Sequence, residues 1–113
     1  MLGRWQPWHS GHLALFERCL AKTGQVIIQV RDVQGWEDNP FEKDRVFDMI
    51  EEGLTDSGYT RGVEYEIMFV PNVVNITYGR KVGYAIEQET FDEATHAVSA
   101  TEIRQKMREE GTL

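Results

Sequence analysis

The chain reads as an α/β sandwich around a small parallel sheet. Three observations predict it. Helical and extended patterns alternate along the sequence, in the order helix, strand, helix, strand, helix. The first extended run, Gln-Val-Ile-Ile-Gln-Val at 25–30, is β-branched and apolar enough to be buried on both faces, as parallel strands are. With 113 residues, no repeat and no low-complexity linker, one domain with one core spans 1–113.

The first helix is expected over 11–21, with an apolar stripe of Leu13, Phe16 and Leu20 flanked by Leu15 and Cys19, and with Gly24 as its stop. The strand at 25–30 follows, then a polar loop over 31–38. Asn39-Pro40-Phe41-Glu42 reads as the start of a second helix, with Asn39 as cap, Pro40 in the first helical position and Glu42 closing a capping box. That helix runs to about Leu54 and buries Val46, Phe47, Ile50 and Leu54. Residues 56–62 are turn chemistry, and 65–70 form the next strand, ended by Pro71. From 72 to 91 the pattern is weaker, and residues 84–89 fit a short helix or a strand equally. Ser99-Ala100-Thr101-Glu102 is a capping box opening a helix to about Glu110, with Gly111 as its stop. Only Met1 and Leu2 precede the first loop, too few for a full first strand, so the natural chain is expected to begin a few residues earlier or another segment to supply the pairing.

A net charge of -7 repels nucleic acid and acidic membranes in the absence of a basic run, which the chain lacks. No apolar stretch approaches a membrane span or the core of a signal peptide. Cys19 is the sole cysteine, so no internal disulfide forms and a reducing, cytoplasmic setting is expected. A small anionic ligand remains compatible with this surface if backbone dipoles and a few cations are focused at one place.

Such a place exists at the start. In Gly3-Arg4-Trp5-Gln6-Pro7-Trp8-His9-Ser10-Gly11-His12, two histidines three apart lie on one face of a helix's first turn. Gly11 between them lets a ligand approach the backbone. Free N–H groups and the positive dipole end favour an anion, imidazoles donate to phosphate oxygens, and Arg4 adds a forked charge. Read alone, the same histidines also fit a helix cap with a packed ring, or half of a zinc site for which Cys19 and His96 are the further candidates.

The stretch resembles the Gly-Arg-Phe-Gln-Pro-x-His-x-Gly-His signature of adenylyltransferases related to nicotinamide mononucleotide adenylyltransferase. The cytidylyltransferase branch has Gly-Thr-Phe-Asp where this chain has Gly3, Arg4, Trp5 and Gln6. Val98-Ser99-Ala100-Thr101-Glu102-Ile103-Arg104 is similar to the same family's Ile-Ser-x-Thr-x-Ile-Arg motif. Physically it is a second helix start with hydroxyls, amide N–H groups and an arginine one turn on, which alone is also a plain capping box. Asn39-Pro40-Phe41 with Arg45 resembles the family's Asn-Pro-Phe segment and the arginine after it. Two departures bear on the acceptor. Trp36-Glu37-Asp38-Asn39 stands where relatives often have a basic residue, and residues 72–84 replace a Ser-Gly-Asn-like loop that helps hold the acceptor.

The resemblance implies a Rossmann-like three-layer sandwich and a nucleotidylyltransferase. ATP would donate AMP to a phosphorylated acceptor of the nicotinamide-mononucleotide kind, with release of pyrophosphate. It implies His9, His12 and Arg104 as catalytic residues. Gly3, Arg4, Trp5, Gln6, Gly11, Ser99, Ala100 and Thr101 join them in holding the nucleotide. Mg²⁺ accompanies the nucleotide, with no direct protein ligand. Trp36, Arg45, Arg80 and Lys81 are the candidate acceptor residues, each with a plain solvated or packing role as its competitor. Relatives are often homo-oligomers, which makes self-association an expectation. A cytidylyltransferase acting on a small phosphorylated alcohol, a non-catalytic nucleotide-binding module and a plain α/β interaction domain are the competing readings.

Overall fold

The computed structural model describes residues 1–80, 83, 85–91 and 99–113. Six elements order them: β1 Leu2–Gly3, α1 Ser10–Thr23, β2 Val26–Arg31, α2 Lys43–Asp56, β3 Tyr65–Val70 and α3 Ala100–Glu110. The strands form one parallel sheet in the order β1-β2-β3. The small parallel α/β sheet that the alternating pattern predicts is therefore present. β1 has two residues, paired with Gln29 and Val30.

The register explains the layers. Val26 pairs with Tyr65 and Ile28 with Ile67, so these side chains share one face. Phe16 of α1 and Val46, Ile50 and Leu54 of α2 pack onto that face and join it in one buried cluster. Both helices thus cover the same side of the sheet. The opposite side carries Ile27, 49% exposed, and Met68, 45% exposed. This corrects the expectation that β2 is buried on both faces: burial alternates along it. An all-apolar β-branched run records strand preference, whereas two-sided burial needs a second layer, which the described residues do not place over Ile27.

The caps decide where helices begin. Gly24 and Gly111 close α1 and α3 in the left-handed conformation, as their positions predict. Ser99 caps α3, its hydroxyl accepting from the Glu102 N–H at 3.4 Å. The start of α2 is different. Its cap is Glu42, with no side-chain hydrogen bond, and the helix begins at Lys43 rather than Pro40. Asn39 does not cap because it is used elsewhere. It exchanges backbone hydrogen bonds with Gly35, and its Oδ1 accepts from Arg4. Of the undecided stretch at 84–89, Tyr84 lies outside the described residues and 85–89 are neither helix nor strand. Glu87 and Glu89 are ion-paired with Lys22, and Glu89 also with Arg18, along α1. No helix among the described residues is long and apolar enough to cross a membrane.

Candidate active site

The loops after β1 and β2 and the start of α1 lie beyond the carboxyl ends of the strands, where parallel α/β sheets bind ligands. The histidines there do two things at once. His9 is the N-cap of α1, its Nδ1 accepting from the Gly11 N–H at 3.0 Å. The His9 N–H in turn donates to His12 Nδ1 at 3.2 Å. The cap reading and the ligand reading are therefore not rivals. An Nδ1 that accepts carries no proton, so the neutral ring holds its proton on Nε2. Capping fixes the tautomer and leaves two Nε2–H donors from rings stacked at 3.6 Å.

The surroundings keep those rings neutral. Burial pushes His12 down to about 3, with the neighbouring His9 adding to the effect, and burial also lowers His9. Trp5 meets His12 edge-on at 4.7 Å and Trp8 lies 5.5 Å from it. Trp5 is buried, its indole N–H donating to the Gln29 carbonyl at 3.1 Å. A side chain at Gly3 would meet the Trp5 ring at 2.8 Å, so Gly3 serves close packing. Trp8 was not singled out by the motif. Its signal is Gly53, a helix-interior glycine whose Cβ would stand 2.9 Å from the Trp8 ring.

The two distant motifs meet. Arg104 is 4% exposed, and its Nη1 donates to the Gln6 carbonyl at 2.6 Å, across 98 positions of sequence. Its Nη2 reaches Thr101 Oγ1 at 3.3 Å and Asp38 at 3.6 Å. Burial lowers its pKa, Asp38 acts the other way, and Arg4 and Arg108 lower it further. Arg4 is exposed and donates through Nη1 to Asn39 Oδ1 at 3.3 Å. Arginines 4, 104 and 108 thus concentrate positive charge beside the signature loop of an acidic chain.

The remaining candidates are spread out. Trp36 is 63% exposed, with the Arg108 guanidinium 4.9 Å above its ring, and Arg108 also donates to the Trp36 and Glu37 carbonyls. Arg45 is exposed on the first turn of α2, and Arg80 is exposed in the segment after β3. Lys81 lies outside the described residues, as do Val98 and His96. A cavity of about 1050 Å³ is lined by His9, Gly11 and His12 and continues along α1 past Leu15, Cys19 and Lys22. Ser99, Thr101 and Arg104 are not in its lining. Asp38 and Arg108 are the partners that motif reading leaves out, because nothing local in the sequence marks a loop that reaches a helix seventy positions away, and Asn39, read as a cap, instead accepts from Arg4.

The chain is similar to three proteins named nicotinamide-nucleotide adenylyltransferase. That of Methanococcus aeolicus is 25% identical over 123 residues, covering 99% of this chain and 72% of the relative. That of Methanococcus maripaludis is 27% identical over 131 residues, covering 96% and 77%. That of Thermococcus sibiricus is 28% identical over 138 residues, covering 98% and 73%. No family model matches the chain, and no solved structure does either. A helix-capping histidine pair and a second helix start bound to the same loop thus occur in a chain that is similar, along almost its full sequence, to proteins named nicotinamide-nucleotide adenylyltransferase.

Proposed function

We propose that the chain transfers AMP from ATP to a phosphorylated acceptor of the nicotinamide-mononucleotide kind, releasing pyrophosphate. What carries this reading is the histidine pair. Two neutral rings with fixed Nε2–H donors, at a helix N-terminus whose preceding loop carries Arg4 and receives Arg104, suit a polyphosphate. Arg4 and Gln6 match the adenylyl form of the signature, and the relatives' names supply the acceptor class.

In this reading an acceptor phosphate oxygen attacks the α-phosphorus in line. The bond from that phosphorus to the α,β-bridging oxygen breaks, and pyrophosphate leaves without a covalent enzyme intermediate. Positioning and charge neutralisation then carry the catalysis. His12 is the donor to the α-phosphate as charge develops, and His9 the donor to the rest of the triphosphate. Gly3, Trp5, Gln6 and Gly11 shape the loop that receives it. Ser99, Ala100 and Thr101 offer the pyrophosphate end a helix start, and Arg104 supplies charge from behind it. Trp36, Arg45, Arg80 and Lys81 are proposed for the acceptor. Imidazole N–H and guanidinium groups suit phosphate rather than metal. This donor set fits Mg²⁺ held by phosphate oxygens and water, where it would neutralise charge on the nucleotide.

The test is pyrophosphate release with Mg²⁺ and either ATP or CTP, across nicotinamide mononucleotide and small phosphorylated alcohols. Release with ATP and nicotinamide mononucleotide is expected. Preference for CTP and an alcohol phosphate would replace the reading by a cytidylyltransferase. ATP binding with no release on any acceptor would make the chain a binding module.

A further inference from the structure

The family resemblance places Gln6 among the residues that hold the nucleotide, but its surroundings give it another task. The residue is 4% exposed and its amide is engaged twice by the backbone of one residue. Nε2 donates to the Phe41 carbonyl at 2.9 Å, and the Phe41 N–H donates to Oε1 at 3.0 Å. Its backbone carbonyl receives Arg104. Taking the chain as an ATP-dependent nucleotidylyltransferase, we propose that Gln6 is a positioning residue. It joins the opening loop to the turn at 39–41 and to the start of α3, and it acts on the reaction through Arg4 and the histidine pair rather than by touching substrate.

The chemistry is selective. Pairing with a peptide in both directions needs one donor and one acceptor in a plane, which a side-chain amide has and an ionised carboxylate lacks. Asparagine has the groups but is one methylene short. The tie also bears on charge placement. Phe41 is buried, and two residues before it Asn39 accepts from Arg4. A slip of this turn would therefore move the partner that steadies Arg4. The loop from Trp5 to His9 holds the cap of α1, so a slip at Gln6 is carried to His12 as well.

Steady-state pyrophosphate release with ATP and nicotinamide mononucleotide would be compared for wild type, Gln6→Ala and Gln6→Glu between pH 6 and 8.5. Gln6→Ala is expected to lower kcat by about 10-fold or more, the scale of a misplaced catalytic group, with the KM for ATP within about threefold of wild type. Gln6→Glu is expected to be as slow at pH 8.5. Its deficit relative to wild type should shrink as pH falls, because a buried carboxyl titrates high and its protonated form donates to Phe41 again. Gln6→Ala should show no such recovery. A raised KM for ATP with kcat intact in Gln6→Ala, or a Gln6→Glu deficit constant across pH, would overturn the proposal. A wild-type chain that releases no pyrophosphate overturns the enzymatic reading instead. The tie is then judged by amide exchange at Phe41, slow in wild type if it exists and fast if it does not, a measurement that requires no variant to fold.

Discussion

At the scale of single residues, His12 joins cap and packing in one ring, and the proposed reaction gives that ring its chemistry. Its Nδ1 closes the start of α1, its faces meet Trp5, Trp8 and His9, and its Nε2–H is left for a ligand. His12→Ala should therefore cut turnover by about 100-fold or more, as loss of a preorganised donor does, while circular dichroism shows the fold retained. Wild-type-like turnover would refute the donor role. The same ring should make stability depend on pH. Its folded-state pKa is about 3 and lies below the ordinary value of 6.5. Between these values the unfolded chain binds a proton that the folded chain does not, so stability rises with pH through this window. It is complete above about 6.5 and falls on acidification, by at most about 1.4 kcal/mol per pH unit for one proton. Denaturant titrations between pH 5 and 6.5, above the carboxylate range, should show that slope in wild type and a weaker one in His12→Asn, whose side-chain oxygen still accepts from His9. Equal slopes would mean that His12 is not held neutral by the fold.

At the scale of elements, what the sequence revealed depended on whether the signal was local. α1, β3 and α3 were legible because apolar period, β-branching and glycine stops act within a few residues. The start of α2 was not. Asn39-Pro40-Phe41-Glu42 has every local feature of a helix start, yet Asn39 is committed to Gly35 and Arg4 and Phe41 to Gln6. Long-range partners outcompete the cap, and the helix begins three positions later. Gly53 is the converse case, a residue with poor local propensity that a tertiary contact explains. Alanine there would gain about 1 kcal/mol in helix propensity. Its Cβ would also stand 2.9 Å from the Trp8 ring, and such overpacking costs about 1–3 kcal/mol. Gly53→Ala should therefore lower the melting temperature despite the better helix former, and slow turnover by moving the ring beside His12. A rise in melting temperature would show that Trp8 yields freely and that the contact sets nothing.

At the scale of the whole molecule, the candidate site depends on a junction no motif states: α3 binding back onto the loops that follow β1 and β2. Both helix starts were readable as anion cradles from residue types and spacing. Their meeting through the Gln6 carbonyl was not readable, because a buried arginine and an exposed one look alike in a sequence. An 11-residue helix is too short to persist alone in water. Arg104 and Arg108 hold α3 through loop carbonyls, and Met107 and Leu113 supply its apolar contact with the core. α3 should thus open at lower cost than the sheet, as a separate unit. In amide exchange, Arg104→Leu is expected to speed α3 by about 10- to 100-fold, the loss of roughly 1.5–3 kcal/mol from a hydrogen bond to a charged group, while β2 and β3 keep their protection. ATP with Mg²⁺ should do the opposite in wild type. If one triphosphate touches both helix starts, amides at 10–12 and at 100–104 gain protection together, and Arg104→Leu loses the gain at both. Protection confined to α1 would leave the second motif a cap and nothing more. Exchange of α3 in step with the sheet would mean that Arg104 anchors the whole fold rather than one movable wall of the site.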